Sequence, residues 1–432
     1  MPNSDTQLIS SRPYEPIYRR NFIYFLADGI LFTVAIGILG TTTVIPDFVR
    51  HLTDSEILIG LSGSLFSIGF TLPQLFIARH LVRSARKKWW FVGPNIPVRF
   101  VILCFAGIIV WLGGERSGLI LLAFFVCYGI AALGDGIVGV PWADLAGSSL
   151  DNRWRARVLG FTAAASGFIM LLIAPLIGRI LGESGPGFPN NYALLFGISG
   201  IVFVLSIVPG LFFHELPGGK AVEKLPSFRE FLPELGQVLR QDVPFRAFIV
   251  TRIFTSLFLM AAPFYIGYAT VELGLSSEVA VPVLLAMQTA GGLLGALIFT
   301  WLGARNNLLY IRLALLSAAL LPITALLSGV VGPIPLYIGF VVSGLSTGFN
   351  LTGSYINWIV VYASPERRPI YVGLSNTIIA IVAFMTPVIG GTIVQNYGYR
   401  LLFMTAIVMA LSALFVTLRF IPNTQIEKTD GA

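Results

Sequence analysis

Twelve stretches of about twenty mostly apolar residues run through this chain, set apart by short polar or Gly- and Pro-containing turns. A run of that length is what an α-helix needs to cross the roughly 30 Å hydrocarbon core of a bilayer. Within that core every backbone N–H and C=O must be satisfied inside the segment, which favours helices. The runs fall at about 21–46, 55–78, 90–112, 118–142, 158–182, 192–213, 246–271, 279–303, 308–329, 334–361, 370–394 and 399–421. Composition points the same way: 56% of residues are hydrophobic and 11% charged, with a mean hydropathy of +0.83. A soluble domain carries about 25% charged residues. The expectation is an all-α integral membrane protein with twelve transmembrane helices.

An even number of spans puts both termini on one side, and lysine and arginine decide which. With the N-terminus inside, 23 of the 28 basic residues lie in or beside cytoplasmic segments, against four (Arg50, Arg116, Arg179, Arg400) outside. The positive-inside rule therefore predicts cytoplasmic termini. Because the positives sit in short loops between apolar runs, they read as orientation signals and not as a nucleic-acid surface. Eighteen mostly polar residues before the first run, without a small-residue cleavage site, argue against a removed signal peptide. Cys104 and Cys127 both lie in apolar runs and predict no disulfide framework. His51, His80 and His214 have no metal-ligand spacing, so neither metal nor cofactor is expected.

The longest polar interval, residues 214–245, divides the spans six and six. It reads as a cytoplasmic linker in which Phe231, Leu235, Val238 and Leu239 form one face of an interfacial helix. The predicted domains are thus 1–213, a linker at 214–245, and 246–432. The two outer parts resemble copies of each other. Arg155 and Gly160 match Arg368 and Gly373 at a shift of 213, and Arg99 matches Arg312 at the same shift. Pro175 and Gly178 match Pro387 and Gly390 at 212. Six spans per repeat around a cytoplasmic linker is the layout of secondary transporters whose halves are related about the membrane normal.

With these features the whole chain resembles the major facilitator superfamily. The loop "ARHLVRSARKKWW" after the second span keeps that family's basic cluster at Arg83, Arg86, Lys87 and Lys88, without the usual glycine and aspartate at its start. The fifth span, with Gly160, Gly167 and "APLIG" at 174–178, is similar to the family's antiporter motif, Ala174 and Arg179 replacing two glycines. The stretch "VPWADLAGSSLDNRWRAR" (140–157) resembles instead the loop of the sugar–cation symporter branch, although the second span has no acidic residue. The resemblance implies two pseudo-symmetric six-helix halves, a cavity lined by spans one, four, seven and ten, and a cytoplasmic gate at Arg83, Arg86, Lys87, Lys88, Arg155 and Arg368.

Only two of the 21 acidic residues, Asp28 and Asp135, lie well inside apolar runs. A charge near the bilayer centre costs roughly 2.5–3.5 kcal/mol, and such residues face a bundle interior or an aqueous cavity. At helical rise Asp28 sits about 12 Å beyond Arg20, Asp135 about 10 Å before Trp142, and Arg252 about 9 Å beyond Arg246. The three share a depth, and the expectation is that Asp28 and Asp135 couple transport to protons or cations and that Arg252 faces them. Asn350, Ser354 and Asn357 recur on one face of span ten, as Tyr128, Asp135 and Trp142 do on span four. With Gln288 these residues are the candidate substrate contacts. Packing between helices is the competing reading for the uncharged ones.

Clustered acids, a metal set or a nucleophile–base pair would mark an enzyme, and none is readable here. The sequence therefore predicts a monomeric transporter of a small organic solute in the plasma (inner) membrane, working by alternating access as a proton-coupled exporter. A cation- or proton-coupled sugar symporter is the alternative, and a non-transporting sensor or assembly factor on the same fold is the second.

Overall fold

The structure, a computed structural model, describes residues 15–74, 77, 87–216, 240–302, 307–348, 351–363 and 368–421. The linker's amphipathic segment, Arg83, Arg86 and Asn350 lie outside the described residues, as do the side chains of Asn357 and Arg368. The helices are α1 (Glu15–Leu39), α2 (Val44–Arg50), α3 (Glu56–Thr71), α4 (Lys88–Leu112), α5 (Ser117–Ser149), α6 (Asn152–Leu181) and α7 (Asn190–Leu205). They continue as α8 (Ile207–Leu211), α9 (Val243–Phe258), α10 (Ser277–Leu302), α11 (Asn307–Val331), α12 (Ile334–Gly348), α13 (Leu351–Tyr362) and α14 (Arg368–Arg419). Among the described residues nine helices are long and apolar enough to cross a membrane. The shorter α3 and the pair α12 and α13 occupy the second and tenth predicted runs.

Local chemistry explains where helices break. The first run does not continue to residue 46: Gly40 takes a left-handed φ of 50°, and the chain turns there before α2 begins. The amides of Thr43 and Ile45 bond the Gly40 carbonyl at 3.0 and 3.1 Å. Such a φ suits glycine because it has no Cβ to clash. Gly398, φ 79°, likewise separates the eleventh and twelfth runs within α14. In the seventh run the helix tightens to a 3₁₀ segment, Leu259–Phe264, around Pro263, and ends in a π turn at Tyr268–Glu272. Proline removes an intrahelical donor and crowds the preceding turn.

The chain forms two compact units. The first draws on Met1–Leu39, Leu65–Met170 and Pro186–Lys224. Its core holds Phe25, Phe91, Val138, Leu145 and Phe213, with Phe25 and Phe213 stacked at 4.0 Å. Asn21 staples it: Nδ2 donates to the carbonyls of Ser149 and His214, at 3.1 and 2.8 Å, and Oδ1 accepts from the His214 amide.

The second unit draws on Gly40–Ser64, Leu171–Gly185 and Leu225–Ala432. Its core includes Phe245, Phe248, Tyr355, Trp358 and Tyr371, Phe248 stacking on Trp358 at 4.3 Å. Small residues let α10 and α12 approach backbone to backbone: a Cβ on Gly291 would meet the Val341 carbonyl, and one on Gly344 the Gln288 carbonyl. This is the packing expected where lipid supplies no hydrophobic drive between helices.

Candidate functional site

The two deep acidic residues both lie in the first unit, 4% and 3% exposed. Asp135, on α5, forms an ion pair with Arg99 on α4 at 2.7 Å. Arg99 is itself 5% exposed, and its guanidinium lies 4.7 Å from the Phe32 ring and 4.9 Å from that of Phe203. Aromatic faces attract a cation and fill the space around it without adding a competing acceptor. Asp28, on α1, accepts a hydrogen bond from Trp142 Nε1 at 2.8 Å. Both Arg99 and Asp135 act on Asp28 electrostatically. One guanidinium thus pairs with Asp135 and lies within electrostatic range of Asp28.

Around this cluster several buried polar atoms have no hydrogen-bond partner among the described residues: both side-chain atoms of Asn95, one helical turn before Arg99, Arg99 Nε and the Tyr128 hydroxyl. Asn95 and Tyr128 are 0% and 1% exposed. Leaving a polar group buried and unbonded costs about 1–3 kcal/mol, so such groups concentrate where something other than packing decides the residue.

Arg99 is the correction to the sequence reading. Near the cytoplasmic end of the third run it reads as an orienting positive, yet its side chain neutralises the deep acid of span four. Arg252 does not take that role among the described contacts. In the second unit, Arg252 Nη1 donates to Ser375 Oγ at 2.5 Å and Asn376 Oδ1 at 3.1 Å, and the guanidinium lies 5.4 Å from the Tyr355 ring. Arg312, matched to Arg99 by the repeat, donates to the Thr417 carbonyl at 2.7 Å. The repeated arginines therefore do different work.

The other predicted residues divide. Trp142 joins the acidic cluster, while Tyr128 is buried about two turns before Asp135 on α5 with its ring stacked on Phe124. Ser354 is buried, and its carbonyl accepts from Asn307 Nδ2 at 2.9 Å, which ties α13 to α11. Gln288 is half-buried on α10. Lys87 pairs with Asp144, so the basic loop finds its acid at the end of α5. Glu215 caps the start of α4, accepting from the amides of Lys87 and Lys88 at 2.7 and 3.2 Å. Arg155 lies beside Gly147.

Two further polar clusters were not foreseen. Asp242 Oδ1 caps α9 through the Phe245 amide at 2.9 Å. It also accepts from the Tyr362 hydroxyl, and Oδ2 from that of Tyr371, each at 2.6 Å. It therefore joins α9, α13 and α14. Elsewhere in that unit, Arg50 makes a two-pronged pair with Glu56 at 2.7 and 2.8 Å. The Tyr399 hydroxyl donates to Glu56 at 3.4 Å and the Ser277 hydroxyl to Asp47 at 3.2 Å. A Cβ on Gly267 would meet the Arg50 guanidinium.

A family model described as the Major Facilitator Superfamily matches residues 21–385. No match was found among the curated proteins. Among solved structures, the nucleoside transporter NupG superposes with a TM-score of 0.68 at 12% identity, covering 93% of this chain and 98% of that one. A bacterial homologue of the iron transporter ferroportin, in an inward-facing state, gives 0.67 at 14% identity, with 93% and 98% covered. A peptide transporter, POT, gives 0.65 at 14%, with 92% and 94% covered. At such identities the likeness establishes the fold.

Proposed function

Because this chain belongs to the Major Facilitator Superfamily, we propose that it is a secondary active transporter of a small organic solute, coupled to protons through Asp28 and Asp135. The observation that carries the reading is a pair of buried carboxylates with one guanidinium beside them, Arg99 ion-paired with Asp135 and within electrostatic range of Asp28. With both acids ionised the cluster holds one uncompensated negative charge. A proton on either acid cancels it and commits Arg99 to the other. A charge that a proton can remove at this depth biases whichever conformation buries the cluster more fully, since a ligand shifts an equilibrium only by its differential affinity for the two states. Trp142 fixes Asp28 in place, while Asn95 and Tyr128 offer unsatisfied polar atoms to solute or water.

The arrangement proposed for the membrane is twelve spans in two six-helix halves with both termini cytoplasmic, in the plasma (inner) membrane. The direction proposed is export, supported by the partly kept antiporter pattern of the fifth span. Lys87, Asp144 and Glu215 then brace the cytoplasmic side. Glu56, Arg50 and Tyr399 tie segment 40–64 to span twelve on the outer side. The test is flux in proteoliposomes under an imposed pH gradient, screened over amphipathic cations, organic acids and sugars. A solute that accumulates only with the gradient supports the reading. Gradient-driven uptake of sugars alone would move it to a symporter, and binding without flux to a sensor.

A further inference from the structure

Among the described residues two arginines are buried, Arg99 and Arg252, and they are not treated alike. Arg99 has Asp135. Arg252, 6% exposed, has only neutral acceptors, Ser375 and Asn376, among the described residues. The one titratable neighbour acting on it there is Tyr355, whose hydroxyl is engaged with Thr255 Oγ1 at 2.9 Å. A lysine in such a place can shed its proton, but a guanidinium cannot. An intramembrane charge without a counter-charge is expensive and marks a functional site whose partner has to be named.

The geometry points to what that partner is. Both bonds to Ser375 and Asn376 come from Nη1, and the Tyr355 ring braces the plane of the guanidinium. The Nε–Nη2 edge has no partner among the described residues. That edge carries two parallel N–H donors, the fork that matches a carboxylate or phosphate in two-pronged fashion. We propose that Arg252 is the recognition group for an anionic moiety, a carboxylate or phosphate, on the transported solute. The proposal rests on the transporter reading for the word "solute", and the anion site itself stands without it. The solute then carries in the counter-charge that the protein omits, so that Arg252 is compensated only when loaded. A neutral analogue of the same shape leaves the guanidinium unpaired, which is how a polar site rejects an isostere.

The full-length protein, purified in neutral detergent free of anionic lipid, is melted against acetate, benzoate, succinate and inorganic phosphate, and against acetamide, benzamide and succinamide. At least one anion is expected to raise the melting temperature saturably where its amide does not. Arg252→Gln should weaken that binding tenfold or more, and Arg252→Lys should retain part of it. Should Arg252→Gln fold poorly, Asn376→Asp is the decisive variant. It supplies the missing counter-charge beside Nη1, so it should melt at or above wild type yet lose the anion response. An arginine that merely pins α9 to α14 would gain stability in Asn376→Asp and keep whatever binding the wild type shows. The proposal is overturned if no anion is distinguished from its amide, if anion binding survives Arg252→Gln or Asn376→Asp, or if only added phosphatidylglycerol stabilises. Because binding in micelles needs no flux, an anion response without transport would sink the transporter reading and leave this one standing.

Discussion

Arg99→Gln should be the most damaging single change in the first unit. It strands Asp135, whose ion pair it removes, and also deprives Asp28 of its nearby positive charge. Breaking a buried pair by removing one partner costs about 3–5 kcal/mol, and with two carboxylates left behind the upper end applies. Asp135→Asn should cost less, toward about 3 kcal/mol, because Arg99 keeps Asp28 as a partial counter-charge and stays between the Phe32 and Phe203 rings. The double variant leaves no stranded guanidinium and no stranded Asp135, so its cost should fall short of the summed singles by about 2 kcal/mol or more. Unfolding of the purified protein in detergent, followed by intrinsic tryptophan fluorescence through a denaturant series, measures all four corners of that cycle. Additivity within about 0.5 kcal/mol, or a milder Arg99→Gln than Asp135→Asn, would refute the argument from one guanidinium beside two carboxylates.

Asp242→Ala should destabilise the second unit by about 2 kcal/mol or more, since it removes a helix cap worth about 0.5–2 kcal/mol and leaves the Tyr362 and Tyr371 hydroxyls without their acceptor; Asp242→Asn should restore part of the loss in the same melt. Gly344→Leu should force α10 and α12 apart and cost about 1–3 kcal/mol, whereas an alanine at Val330, 83% exposed, should change the melting temperature little. With Cys104 and Cys127 replaced, a single cysteine at Lys220 should resist a membrane-impermeant thiol reagent in intact cells while one at Ser184 reacts; the opposite pattern would invert the proposed topology.

What the sequence disclosed follows from what one dimension can carry. Span positions were legible because length and apolarity are local properties, and even the turn at Gly398 falls between the predicted eleventh and twelfth runs. That Asp28 and Asp135 would be buried within helices was legible for the same reason. Their partners were not. Depth along a helix is counted in residues, but rotation about the bundle is set by packing, and Arg99 read as one more basic residue near a cytoplasmic end. Asp242 sat in a polar stretch with every appearance of a solvated loop, so its role in joining three helices left no pattern. Ser375 and Asn376 carry no charge, and nothing in their spacing flagged them as the neighbours of Arg252. The break at Gly40 was not legible because it lies inside a long apolar run, and the backbone conformation that ends the helix there leaves no mark on hydropathy.

Proton coupling at the first-unit cluster is most directly tested by two fluxes measured on one preparation. For a solute transported by wild-type proteoliposomes, solute-for-solute exchange without a pH gradient is compared with accumulation driven by the gradient. Asp28→Asn cannot exchange a proton, so it should keep exchange within a few-fold of wild type and lose accumulation above equilibrium. If Asp28→Asn accumulates the solute with the wild-type dependence on pH, and Asp135→Asn does so as well, the carboxylates do not couple transport and the account of this site is wrong.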